Sequence, residues 1–178
     1  MKILAIDISG NFTEGKGTTG YCIGHGDGTV IEIGDICAKD FPTRMEYHNA
    51  VIKLALDREK ADVVVCENFK LYRHKAMQQS HSELETPRII GALEYCCWLN
   101  KKPLYFQMAS DVKTRFSDEI LMKKKVFEEH KGYLYFNFIK TNDHIRDAMR
   151  HYFYFIKYGL KRLKDGEWNY IPPSLKVS

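Results

Sequence analysis

KILAIDISGNFTEGKGTTGYCIGHGDGTVIEIGDIC, residues 2–37, is the stretch that decides the fold. KILAIDI (residues 2–8) is a short apolar run carrying Ile3, Ile6 and Ile8, and it reads as a buried strand with Asp7 at its far end. NFTEGKG is a polar, glycine-rich turn, and TTGYCIGH (residues 18–25) reads as a second strand. GDG (residues 26–28) is a hairpin signal, and TVIEIGDIC (residues 29–37) supplies a third strand. Three strands joined by short turns predict an antiparallel meander.

Beyond the meander the pattern changes. Thr43 with Glu46 fits a capping box that opens a helix running to about Arg58. ADVVVCE (residues 61–67) reads as a fourth, fully buried strand ending on Glu67. Residues 68–84 are mixed and polar, read as a loop with some helix. Thr86 followed by Pro87 gives a cap and a first-turn proline, so a helix is expected to Leu99. KPLYFQM (residues 102–108) is a fifth strand, SDVKTRF (residues 110–116) a short helix, and Ser117, Asp118 and Glu119 open another helix to about His130. Lys131 and Gly132 are expected to stop it. YLYFNF (residues 133–138) reads either as a strand or as a packed aromatic loop, and a long helix is expected from Asp143 to about Leu163. The order β-β-β-α-β-α-β-α, with right-handed crossovers, sets strand one beside strand four. That is the ribonuclease-H-like plan: a five-stranded mixed sheet flanked by helices. The reading is one α/β domain over residues 1–165 and an extended tail over 166–178, without repeats or an interdomain linker.

Composition is ordinary for a globular domain, with 44% apolar and 28% charged residues in a chain of 178. No run of about 18 apolar residues exists, so no membrane-spanning helix is expected. The first residues lack the long apolar region of a secretory signal. The five cysteines form no C-x-x-C pair, which argues against a zinc site or a disulfide framework and for a reducing, cytoplasmic setting. Net charge is only +4, but it is unevenly spread. Lys70, Arg73, His74 and Lys75 follow Glu67 with no acid among them, Lys123 to Lys125 form a block, and the last helix carries Lys157, Lys161, Arg162 and Lys164. A basic face suits a polyanion such as nucleic acid; the plainer reading is a solvated lysine surface.

The acids carry the chemistry. In the expected plan Asp7 and Glu67 end neighbouring strands that run the same way, so their carboxylates meet at one sheet edge. NDHIRDAMRH (residues 142–151) adds Asp143, His144, Asp147 and His151. With Asp143 at zero, Asp147 falls near ~40°, His151 near ~80° and His144 near ~100° on a helix, one shared stripe. Ile145, Met149, Tyr152 and Ile156 lie on the other side as a core face. Asn142 or Asp143 can serve as a helix cap, and His151 as an exposed partner one turn from Asp147. Carboxylates converging at one edge form the oxygen-rich set that hard divalent cations take.

These motifs together resemble the RuvC family of Holliday junction resolvases, in the form common among bacteriophages. LAIDISG followed by TTGYCI resembles that family's opening strand, acid and Thr-Gly hairpin. VVVCENF resembles its strand-four acid, QQSHSELETPRIIGAL the segment leading into its central helix, and HIRDAMRH its terminal acidic helix. The resemblance spans residues 1 to about 158. It implies that Asp7, Glu67 and Asp147 hold metal. The family's remaining carboxylate lies three residues before the last, where this chain has His144; Asp143 stands one residue earlier and is the other candidate for fourth ligand. The implied chemistry is phosphodiester hydrolysis with two Mg²⁺, Mn²⁺ being expected to substitute, with Asp7 between the ions and His144 accepting the proton of the attacking water.

On this reading Lys70, Arg73, His74 and Lys75 hold phosphates beside the cut, Phe69 or Tyr72 stacks on an unpaired base, and Lys113 lies near the DNA. Packing of both aromatics on the sheet, and a solvated Lys113, are the ordinary alternatives. The partners expected are branched DNA (Holliday junctions, forks and flaps) and a second copy in a two-fold dimer, because a junction presents two symmetric strands. The alternatives are a ribonuclease-H-type or flap-type nuclease on the same fold and a non-catalytic DNA-binding module. An actin-like ATPase needs a duplicated domain for which the chain is too short.

Overall fold

The computed structural model describes residues 1–69 and 84–161. Its main sheet has five strands: β1 (Lys2–Asp7), β2 (Thr18–His25), β3 (Val30–Cys37), β4 (Val63–Glu67) and β5 (Leu104–Gln107). They lie in the order β3-β2-β1-β4-β5, antiparallel through β1 and parallel from β1 to β5. The expected meander and the β1–β4 adjacency are both present. Parallel strands at the centre of a sheet must be covered on both faces, and here side chains alternate between two cores. Leu4, Ile6, Val64 and Cys66 face α1 (Arg44–Leu56) and α2 (Glu85–Leu99). Ile3, Ala5, Val63, Val65 and Tyr105 face α5 (Asp143–Tyr154), with its Met149 and Tyr152, and Phe155 just beyond it. Continuing that period of two puts Asp7, Glu67 and Gln107 on the α5 face.

Between β5 and α5 lie α3 (Ala109–Arg115), α4 (Asp118–Lys123) and a small antiparallel sheet of β6 (Glu128–His130), β7 (Tyr133–Phe136) and β8 (Ile139–Lys140). The helix expected to reach His130 stops at Lys123. Lys125 turns left-handed, the Val126 N–H donates to the Leu121 carbonyl and the Lys125 N–H to that of Met122. This is a Schellman ending with lysine where glycine is usual, so the sequence carries no warning of it. Lys131 and Gly132 end no helix; they are the two left-handed residues of a hairpin turn between paired His130 and Tyr133. Asn137 and Phe138 make a second such turn, which settles residues 133–138 as a strand plus turn.

Two helix boundaries also differ from expectation. Thr86 does not cap α2, which starts at Glu85; its hydroxyl instead accepts a hydrogen bond from the Gly10 N–H at 2.9 Å. The last helix keeps α geometry only to Tyr154, then widens into a π-helical turn over Phe155–Gly159. The expected tail, 166–178, lies outside the described residues. Among those described, no helix is long and apolar enough to cross a membrane.

Candidate active site

Asp7 and Glu67 are the last residues of β1 and β4, which pair in parallel, so both carboxylates leave the sheet at the same edge and on the same face. The start of α5 lies over that edge because of Gly20. This residue pairs in register with Asp7, and a Cβ on it would overlap the backbone of His144 and Ile145. With only hydrogen there, the first turn of α5 rests directly on β2. Asn142 fixes that turn by accepting the Ile145 N–H at 2.9 Å, and its own amide donates to Asp35 at the end of β3.

The contacts then follow. His144 Nδ1 lies 2.7 Å from Asp7 Oδ2. Burial raises the Asp7 pKa above the ordinary carboxylate value, and repulsion from Glu67 and Asp147 adds to it, while the bond to His144 opposes. That bond to Asp7 raises the His144 pKa against the effect of its own burial, and the charges of Asp7, Asp147 and Asp143 add to it. Asp147, one turn further on, takes Lys113 Nζ at 2.9 Å and pairs with Arg150. Burial would lower the Lys113 pKa, but the hydrogen bond to Asp147 and the charges of Asp147, Glu67 and Asp7 raise it. Glu67 Oε2 lies 3.1 Å from His151 Nε2.

The residues singled out in the sequence fall as follows. Asp7, Glu67, His144 and Asp147 share the edge. Asp143 does not: its side chain is 86% exposed and pairs with Arg146, and the cap is Asn142. Lys113 sits among the carboxylates, on Asp147, rather than out on a lysine face. Phe69 is half-buried and packs against the α1/α2 core. Lys70, Tyr72, Arg73, His74 and Lys75 lie outside the described residues. His151 is not the exposed partner of Asp147 that its spacing suggested; it is wholly buried between Glu67 and Gln107. Pairing four apart describes an isolated helix, and here the sheet offers the ring better partners.

Sequence reasoning missed Gln107 and the Arg146–Arg150–Asp118 cluster. Asp118, read only as a helix opener, lies 3.3 Å from Arg146 Nε and also pairs with Arg150, tying α4 to α5. No local pattern announces these, since all come from contacts between distant segments.

A divalent cation can be tested against this donor set. Three carboxylates offer hard oxygen donors and His144 a borderline nitrogen, and Asp7 is desolvated and repelled by two other acids, the condition a bound cation relieves. The ammonium of Lys113 already sits in that field. Among the described residues no three His, Cys, Asp or Glu side chains are gathered to ligating distance as they stand. The donors therefore fit in kind, while Asp7 and Asp147 are engaged by His144 and Lys113.

No family model matches the sequence. No curated protein matches it either. Solved structures do match. Thermus thermophilus RuvC, in a structure with a Holliday junction substrate, superposes with a TM-score of 0.62 at 15% identity, covering 94% of this chain and 98% of that one. A second structure of T. thermophilus RuvC gives a TM-score of 0.58 at 16% identity over the same shares. The chain thus has the RuvC-like, ribonuclease-H-like fold.

Proposed function

We propose that this protein is a metal-dependent endonuclease that resolves Holliday junctions and related branched DNA. One observation carries the reading: Asp7 and Glu67 end adjacent parallel strands, and α5 sets His144 and Asp147 over the same edge, in a chain whose fold is similar to that of a resolvase seen with a junction.

Asp7, Glu67 and Asp147 are the residues that would hold divalent cations, Mg²⁺ in the first place, with His144 as the fourth donor or as the base. Cations held there supply Lewis-acid stabilisation of a phosphate and lower the pKa of a water. Asp7, which feels the charge of both other acids, would be the central carboxylate of such a set. His144, held on Asp7 through Nδ1, can accept a water proton at Nε2, and Asp7 then offsets the imidazolium charge. Lys113, freed from Asp147, is long enough to turn toward a phosphate. A two-fold dimer would give two such sites to the two symmetric strands of a junction, and Tyr95, Trp98 and Leu99 on the exposed side of α2 are the apolar residues such a contact would use.

The test is cleavage of synthetic four-way, three-way and RNA–DNA hybrid substrates in Mg²⁺, with Asp7→Asn and Glu67→Gln beside the native protein. Expected are nicks in junctions by the native protein, none by either variant, and near-native junction binding by both. Preferential cutting of the hybrid would assign the ribonuclease-H-type activity instead, and full cutting by either variant would refute the metal assignment.

A further inference from the structure

A histidine buried with both ring nitrogens engaged is costly unless those bonds are made for something. His151 has no exposed surface, in a core otherwise built of Tyr105, Ala148, Met149, Tyr152 and Phe155. Leucine or phenylalanine would pack there with no desolvation cost. Its ring reaches across two strand ends at once: Nε2 lies 3.1 Å from Glu67 Oε2, and Nδ1 lies 2.9 Å from Gln107 Oε1. Glu67 and Gln107 are cross-strand partners on β4 and β5, so one ring from α5 bridges a register pair. Gln107 thus holds one nitrogen of the ring, and a proton on the other, Nε2, is aimed at Glu67 Oε2.

We infer that His151 is a positioning residue: tethered by Gln107, it holds one oxygen of Glu67 and leaves the other directed at the cation site. This rests on the nuclease reading above and adds to it a second layer that sets how well the cation is held. Outer partners of metal-binding carboxylates commonly change affinity by 10–100-fold when removed. Among the described residues the hydrogen-bond partner of Asp7 is His144, at the site itself, whereas His151 is shut away from solvent.

The experiment is calorimetric titration of Mn²⁺ into the full chain, alongside cleavage rate against Mn²⁺ concentration. His151→Phe should raise the Mn²⁺ Kd by about 10–100-fold. Its cleavage should recover toward the native maximum at high metal, so that the metal requirement moves more than the saturated rate. His151→Gln, whose amide nitrogen can still reach Glu67, should bring the Kd back to within about threefold of native. Gln107→Leu keeps the ring but frees it, and should raise the Kd by at least about threefold; this variant decides the matter if His151→Phe does not fold. A folded His151→Phe with native Mn²⁺ affinity, or an unchanged Gln107→Leu where the first cannot be made, overturns the positioning role alone. A native protein that takes up no Mn²⁺ overturns the nuclease reading together with it.

Discussion

His144 and Asp143 are adjacent in sequence and opposite in surroundings. His144 lies against Asp7, while Asp143 points to solvent beside Arg146. We predict that Asp147→Asn is inactive, that His144→Ala loses at least about tenfold in rate, as removing a positioned proton acceptor usually does, and that Asp143→Asn costs less than either. A full-rate His144→Ala beside a dead Asp143→Asn would reverse the assignment. The same pair has a signature in stability. Asp7 raises the folded-state pKa of His144 above its ordinary 6.5. The contact therefore stabilises the metal-free fold fully below that value and loses its effect as pH rises through the raised one. Thermal melts of the metal-free protein should show this decline above about pH 6.5, and His144→Ala should flatten it.

The element that matters most is the first turn of α5, and its seat is a glycine on another element. Gly20→Ala should push the turn off β2, because the new methyl group would occupy the space of the His144 backbone. Overpacking of this kind costs about 1–3 kcal/mol, to be read from urea unfolding. Cleavage should fall further than stability explains, since His144 moves away from Asp7. Gly20→Ala with native cleavage would mean that α5 adjusts freely and that its approach to β2 does not set the site. At this scale much was legible in the sequence. The capping box at Thr43 and Glu46 is present as written, with the Thr43 hydroxyl accepting the Glu46 N–H. The helix that ends early at Lys123 and the segment 133–138, left open between strand and loop, share one cause. Lys125 ends a helix in a left-handed conformation, and Phe138 occupies a turn position that usually takes glycine. Glycine is the local signal for such positions, and here lysine and phenylalanine stand there instead, both exposed to solvent.

At the scale of the whole molecule the question is where the basic charge meets nucleic acid. In the sequence the run Lys70, Arg73 and Lys75 begins three residues after Glu67, whose carboxylate is at the site edge. Replacing all three with alanine should weaken junction binding and reduce the log–log salt slope by about 0.9 for each phosphate that is no longer neutralised. Binding measured from low to moderate salt checks this, and an unchanged slope would remove these side chains from the DNA face.

Sequence alone determined the strand order and the two acids at its centre. Buried runs of hydrophobic residues, a period of two and short turns are local signals, and an acid ending such a run stands out by its cost. Only the tertiary structure decided which groups those acids meet. His144, Lys113 and His151 reach Asp7, Asp147 and Glu67 across separations of 137, 34 and 84 residues. Helical spacing made His151 an exposed neighbour of Asp147; packing turned its ring inward to Glu67 and Gln107. Side-chain partners at such distances depend on how the helix is seated on the sheet, and that seating depends on a missing methyl group at Gly20.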